Sequence, residues 1–258
     1  MSRILITGCR GGIGLDAAIR LVKAGHFVYA TVHKEKSVSE LKKIFHPYSK
    51  NSLIEKLDIT NSKDREKILD WDIDVLVNNA GIGDSGPLIE IDVQKIRDVF
   101  ETNVFSAIEL TQIALKKMIA KGSGRVVIVG SMYGLLPTPY LAPYGMSKFA
   151  LENLAFSLRK ELKPFGIYVV MVNPGSYNTG FNKKNIDKKY TWLDKNGLYK
   201  NHMDAIKKEE DLLYKLEVQN IEGISKQLVK AVVDKKPKKR YKAPLWQWLL
   251  IPVGRHFG

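Results

Sequence analysis

The sequence predicts one doubly wound α/β domain, a parallel sheet with helices on both faces. Three observations carry that prediction. Six short, apolar, β-branched runs recur along the chain, and longer stretches with apolar residues near a helical period lie between them. The first run also turns into its helix through a cluster of glycines. Runs this apolar suit strands buried on both faces, and strand–helix alternation suits parallel strands joined by helical crossovers. The 258 residues are enough for one large domain with a substantial core, so a single domain over 1–258 is expected.

The first strand is RILITG (3–8), and GGIGLDAAIRLVKAG (11–25) follows as its helix. HFVYATV (26–32) and SLIEKLDI (52–59) are the second and third strands. TNSKDREKILDWDI (60–73) is short but can hold a compact helix before the fourth strand, DVLVNNAG (74–81). RVVIVGS (125–131) is the fifth strand and IYVVMVNPG (167–175) the sixth, separated by the helical APYGMSKFALENLAFSLRKELKPFG (142–166). Pro143 suits the first turn of that helix, where its missing N–H is not needed. From 176 to 235 the pattern turns irregular, polar and basic with several aromatic residues, and a mobile substrate lid is expected there. Residues 236–258 are expected as a basic and apolar C-terminal tail.

Composition bounds the function. Apolar content of 45% and charged content of 26% are ordinary for a globular protein. The single cysteine, Cys9, rules out an intramolecular disulfide and suits a reducing compartment. No signal peptide is read at the start, and no apolar run reaches the roughly 18 residues of a membrane-spanning helix. A cytoplasmic location is expected. The net charge is +14, and more of the excess lies after residue 180 than before it. KKPKKRYK (235–242) has six basic side chains in eight positions and runs into APLWQWLLIPV. Two readings of this stretch stand: a solvated loop before an apolar segment that packs on the domain, or a surface facing anionic lipid or an acidic partner. Nucleic acid is not expected, because no recognition helix is found and aromatic residues do not interleave with the basic ones. No metal site is expected.

Two stretches carry chemistry. TGCRGGIG (7–14) puts Gly8, Gly12 and Gly14 where a strand becomes a helix, with Arg10, Gly11 and Ile13 between them. Such a loop lets backbone approach a pyrophosphate at a helix N-terminus. In YLAPYGMSK (140–148), Tyr144 and Lys148 lie one helical turn apart on one face. A free phenol titrates near 10, and a nearby ammonium would lower that value, so this pair can exchange a proton with a carbonyl oxygen. Cys9 reads as a small loop residue without chemistry, and Ser147 as a helix-surface or packing residue.

In order along the chain, TGCRGGIG, NNAG (78–81), Asn103 in ETNVFSAIELTQ, Ser131, Tyr144 with Lys148, and NPG (173–175) followed by Thr179 resemble the short-chain dehydrogenase/reductase family. The resemblance covers residues 4 to about 180 and implies a Rossmann-type fold. It also implies Asn103, Ser131, Tyr144 and Lys148 as the catalytic set. Tyr144 would donate or accept the proton, Ser131 would hold the same oxygen, Lys148 would also hold the nicotinamide ribose, and Asn103 would anchor a water. Gly8, Arg10, Gly11, Gly12, Ile13, Gly14, Asp58, Ile59, Asn79, Ala80, Gly81, Pro174, Gly175 and Thr179 would meet the dinucleotide along with Tyr144 and Lys148. Where NAD-using relatives place an acid after the second strand, this chain reads Val32, His33, Lys34. With Arg10, His33 and Lys34 could hold a 2′-phosphate, so NADP(H) is favoured over NAD(H), with Glu35 as the opposing sign. Ser131, Tyr133, Tyr140 and Tyr144 are expected to line the substrate pocket.

The C-terminal KKRYKAPLWQWLLIPVGRHFG looks more like hydroxysteroid- and retinol-type members, with a basic Arg-Tyr stretch before an apolar tail. The expected function is therefore NADP-dependent interconversion of a ketone and a secondary alcohol on a small lipophilic substrate that is steroid-, retinoid- or lipid-like. Two alternatives stand beside it: a 3-oxoacyl thioester reductase, and a non-catalytic NADP-binding protein at a membrane surface. Peripheral membrane contact through the tail could also accompany catalysis. A homo-oligomer, paired through the helices carrying Asn103 and Tyr144, is implied by the resemblance.

Overall fold

The computed structural model describes residues 1–194 and 196–252. All six expected runs are strands: β1 (Arg3–Ile6), β2 (Phe27–Val32), β3 (Ser52–Lys56), β4 (Val75–Asn78), β5 (Gly124–Val129) and β6 (Ile167–Pro174). A seventh strand, β7 (Arg240–Ala243), completes one sheet in the order β3-β2-β1-β4-β5-β6-β7. Every pairing is parallel, from Ile4 beside Val28 and Val75 to Val172 beside Tyr241.

Alternation along each strand divides the core. Ile4, Ile6, Val28, Ala30, Val75, Val77, Val127, Val170 and Val172 point to one face, where α1 (Gly12–Lys23), α2 (Lys36–Phe45) and α9 (Glu222–Val233) cover them. Leu5, Tyr29, Leu76, Val126, Ile128, Val169 and Met171 point to the other, under α5 (Ser106–Lys121) and α6 (Ala142–Glu161). Side chains of successive strand residues face opposite sides, so central strands buried on both must be apolar throughout. The remaining helices are α3 (Ser62–Glu66), α4 (Val93–Phe100), α7 (Phe181–Lys189) and α8 (Met203–Lys215). A π-helical turn at Glu101–Phe105 joins α4 to α5. Strand order reverses between β1 and β4, and ligands of open α/β sheets sit at that point beyond the carboxyl ends of the strands.

Two expectations about the last third need correction. Residues 176–235 are largely helical, and α9 is no lid. Its Ile224, Leu228, Ala231 and Val232 are buried in the core beside α1. Arg125 of β5 caps that helix by donating to the carbonyls of Ala231 (2.8 Å) and Asp234 (2.6 Å), where the helix dipole favours a cation. Part of the expected tail is likewise integral to the domain, since residues 240–243 form β7. The Arg240 guanidinium grips the Glu152 carboxylate of α6 through two hydrogen bonds, at 2.7 and 2.6 Å, and also donates to Asn173 Oδ1 at 2.8 Å. After the strand, Gln247 is fully buried, whereas Leu245, Trp246 and Leu249 are exposed. Residue 195 of the expected lid and residues 253–258 of the expected tail lie outside the described residues. No helix among the described residues is long and apolar enough to cross a membrane.

Candidate active site

A cleft of about 640 Å³ opens above the carboxyl ends of β1, β4, β5 and β6. Its floor is the glycine loop. Gly8 has φ +73°, and a Cβ there would come within 2.9 Å of Ala80 Cα, so only glycine lets this loop lie against the end of β4. Thr7 fastens the two: its hydroxyl accepts from the N–H of Asn79 (3.1 Å) and of Ala80 (2.9 Å). The Asn79 amide answers by donating to the Thr7 and Gly8 carbonyls, at 2.8 and 3.2 Å. Gly11 caps α1 without a side-chain hydrogen bond, and Gly12, Ile13 and Gly14 line the cleft. The first-turn N–H groups of α1 are therefore not capped by a side chain, which together with the helix dipole makes an anion site suited to a pyrophosphate.

At one end the cleft is walled by Arg10, His33, Asp58, Ile59 and Lys184. Asp58 is positioned by its own hydrogen bonds from Thr60, at 3.0 Å to the N–H and 2.8 Å to the hydroxyl. It does not cap the next helix; Asn61 does, accepting from the Asp64 N–H. Burial holds the His33 imidazolium below its ordinary pKa, helped by the positive charges of Lys34, Lys184 and Arg10 and opposed by Asp58. Lys34 itself is exposed and outside the lining, so of the expected basic trio only Arg10 and His33 reach the cleft wall.

Ser131, Tyr144 and Lys148 stand together at the other end. Ser131 ends the loop after β5; its carbonyl accepts from Asn173 Nδ2 (3.1 Å) and its hydroxyl from the Tyr133 N–H (3.2 Å). Lys148 is buried, its ammonium donating to the Val129 carbonyl at 2.9 Å and lying 5.6 Å from the Tyr144 ring centre. Desolvation pushes Lys148 down to about 8. Tyr144 is half-buried along the cleft wall, and desolvation pushes its hydroxyl up to about 12, with the nearby Ser131 hydroxyl acting in the opposite direction. The expected lowering of the phenol by its lysine is thus not realised in the protein alone. The ammonium is turned to a backbone carbonyl, and desolvation dominates the phenol.

Asn103 sits behind this set, in the π-helical turn, rather than in the cleft wall. It exchanges two hydrogen bonds with the backbone of Ile82, both 2.8 Å, and donates to the Ser147 hydroxyl at 2.9 Å. Ser147 in turn donates to the Tyr144 carbonyl at 2.7 Å. A residue read as helix surface or packing therefore connects Asn103 to the helix turn bearing Tyr144, a role that spacing along α6 could not reveal. Tyr133 lines the cleft with a buried hydroxyl lacking a well-formed hydrogen bond, although Ser176 lies near enough to moderate a pKa that burial pushes up. Tyr140 does not line it. At φ +59° its backbone turns away, its carbonyl accepts from Gly86 N–H at 2.7 Å, and its ring meets Tyr199 edge-on at 6.1 Å.

The remaining expected residues, Gly81, Pro174, Gly175 and Thr179, also line the cleft. Phe181 of α7, in the loop region after NPG that shapes the pocket in this family, joins them, and so do Asn182 and Lys184, which no motif signalled. Cys9 is fully buried with its thiol pushed up to about 12 by desolvation, which leaves it unreactive. Among the described residues no cluster of three or more His, Cys, Asp or Glu gathers as a metal site.

Comparison with known proteins identifies the family and the fold. The family model described as short chain dehydrogenase matches residues 2–190. The chain is 33% identical over 251 residues to 17-beta-hydroxysteroid dehydrogenase type 1 of Homo sapiens, covering 92% of this chain and 76% of that one. It is 33% identical over 189 residues to retinol dehydrogenase 8 of Bos taurus, covering 70% of this chain but only 61% of the relative. In fold it is similar to a short-chain dehydrogenase/reductase from Burkholderia phymatum solved with NAD, with a TM-score of 0.83, 17% identity and coverage of 99% and 93%. It is also similar to a short-chain dehydrogenase from Sphingobium yanoikuyae solved with NADPH, with a TM-score of 0.77, 21% identity and coverage of 100% and 94%. The chain belongs to the short-chain dehydrogenase family.

Proposed function

We propose that this protein is an NADP(H)-dependent oxidoreductase that interconverts a ketone and a secondary alcohol on a lipophilic substrate. The observation that carries the reading is the meeting of Ser131, Tyr144 and Lys148 at one end of a cleft that has an uncapped helix N-terminus in its floor and Arg10, His33 and Lys184 at its other end. The bound nicotinamide supplies or takes the hydride; the chain supplies position and the proton. Tyr144, raised to about 12, keeps its proton at neutral pH and is the donor to a carbonyl oxygen during reduction. Ser131 holds that same oxygen beside it. Lys148, lowered to about 8, stands on the same helix face and in the oxidative direction would favour the phenolate electrostatically. Support for a lipophilic substrate comes from the relatives named for hydroxysteroid and retinol chemistry, and from Tyr133 and Phe181, whose aromatic surfaces line the cleft near Tyr144.

Tyr144→Phe tests the mechanism. It is expected to lower kcat by about 10²- to 10⁴-fold while cofactor binding persists, and near-normal turnover would remove Tyr144 from the role. A carbonyl panel with NADPH tests the substrate class; turnover of 3-oxoacyl thioesters or small polar carbonyls in place of steroid, retinoid or long-chain ketones would overturn it.

We also infer peripheral contact with an anionic bilayer. Leu245 (67% exposed), Trp246 (49%) and Leu249 (74%) follow the exposed Lys235, Lys236, Lys238 and Lys239, and basic side chains beside exposed apolar ones suit a lipid interface. Equal co-sedimentation of wild type and Trp246→Ser with phosphatidylserine vesicles would refute it. Self-association would use a different face, where Phe105 and Phe156 stand exposed on the segments carrying Asn103 and Tyr144.

A further inference from the structure

Helix α7 carries four lysines, and three of them are satisfied. Lys183 pairs with Asp187 at 2.9 Å, Lys188 with the buried Asp84 at 2.8 Å, and Lys189 with Glu210. Lys184 has no carboxylate partner among the described residues, and it is the only one of the four that lines the cleft. Arg10 and Lys34 also lack ion-pair partners among the described residues. That end of the cleft thus gathers Arg10, His33 and Lys184, with Lys34 just outside the lining, against a single lining carboxylate, Asp58.

The root of α7 fixes where Lys184 can reach. A Cβ on Gly12 would come within 3.2 Å of Thr179 Cβ, so the segment entering α7 lies directly on the glycine loop. Gly180, at φ +76°, turns the chain into the helix, and the Lys184 N–H donates to the Gly180 carbonyl at 3.1 Å to close its first turn. Phe181 of that turn leans on Tyr144 with ring centres 5.4 Å apart. One helical turn therefore spans both ends of the cleft, with an aromatic ring at the tyrosine and an unpaired ammonium near His33.

We propose that Lys184 is a specificity-determining residue for the dinucleotide, binding the 2′-phosphate of NADP and so seating the first turn of α7 over the cleft. The proposal rests on the NADP reading above. A doubly ionised phosphate matches the local excess of positive charge, whereas the ribose hydroxyl of NAD offers no charge to pair. Lys184 is exposed, so the effect is screened by solvent and salt.

The test is equilibrium binding to the full-length protein, read by nucleotide fluorescence and calorimetry. The ligands are NADPH, NADH, 2′,5′-ADP and 5′-AMP, and the variants are Lys184→Gln, Lys184→Arg and, as a charge-matched control, Lys183→Gln. Lys184→Gln is expected to weaken NADPH and 2′,5′-ADP about tenfold while changing NADH and 5′-AMP less than twofold. Lys184→Arg should restore most of the loss, and Lys183→Gln should leave all four ligands unchanged. If wild type prefers NADPH but Lys184→Gln weakens both dinucleotides equally, or neither, the assignment of Lys184 is wrong and the NADP reading survives. If wild type binds NADPH no better than NADH, both fall together.

Discussion

Replacing Lys148 by methionine should make the ligand-free protein more stable at neutral pH even as it removes a residue of the candidate site. Lys148 is 5% exposed, and burial drops its pKa from 10.5 to about 8. That drop corresponds to about 3 kcal/mol of burial cost while the side chain stays charged. Below pH 8 the folded and unfolded chains both hold the proton, so the cost is fully present. Between pH 8 and 10.5 the unfolded chain holds more of the proton than the folded one, so wild-type stability rises with pH; above 10.5 the cost is gone. Methionine escapes it but orphans the Val129 carbonyl, which now accepts from Lys148 at 2.9 Å, at about 1–2 kcal/mol. The net expectation is a gain of about 1–2 kcal/mol at pH 7, or a few degrees in Tm, shrinking to nothing or a slight loss by pH 10. Urea denaturation of both proteins at the two pH values measures it. A variant no more stable than wild type at pH 7, or a difference that ignores pH, would refute the reasoning.

Two further perturbations probe the frame of the site. Gly8→Ala forces a side chain onto a residue at φ +73° and against Ala80 Cα, and should cost about 2–3 kcal/mol of stability with at least tenfold weaker cofactor binding; a near-neutral melting curve with unchanged binding would contradict the account of the loop. Arg240→Ala strips the two-pronged partner from the largely buried Glu152 carboxylate and should cost about 2 kcal/mol by urea titration, whereas Lys239→Ala, on the neighbouring exposed side chain, should cost almost nothing.

Strands β1 to β6 were readable because burial on both faces writes itself as unbroken apolar sequence. β7 was not, since Arg-Tyr-Lys-Ala is short and lies at the edge of the sheet. Tyr241 and Ala243 are buried, while Lys242 is exposed and Arg240 is neutralised by Glu152, 88 positions earlier. Helix α9 did carry a helical period, in Ile224, Leu228, Ala231 and Val232, but the basic polar sequence around it hid that stripe. The glycine loop and the Ser131, Tyr144 and Lys148 set were legible because each sits at a strand end or on one helix turn. Ser147 is tied to Asn103, 44 positions earlier, and Lys184 comes to the cleft near His33 from a distant helix, and no local spacing announces either. Tyr140 illustrates the reverse error: four residues from Tyr144 in sequence, it is turned away by a left-handed backbone. The pKa of Tyr144 likewise depended on where the lysine ammonium points, which helical spacing leaves open.

Gln247 has a wider consequence. Its side-chain oxygen accepts from the Ser176 N–H at 2.7 Å, at the end of β6, and its amide donates to the Leu216 carbonyl at 2.7 Å, just beyond α8. A single amide thus joins the rim of the cleft at Ser176 to the end of α8. Exchanging only residues 176–217 between relatives would therefore separate that amide from the two backbone groups it was matched to. Grafts meant to move substrate preference should carry the segment around residue 247 with them.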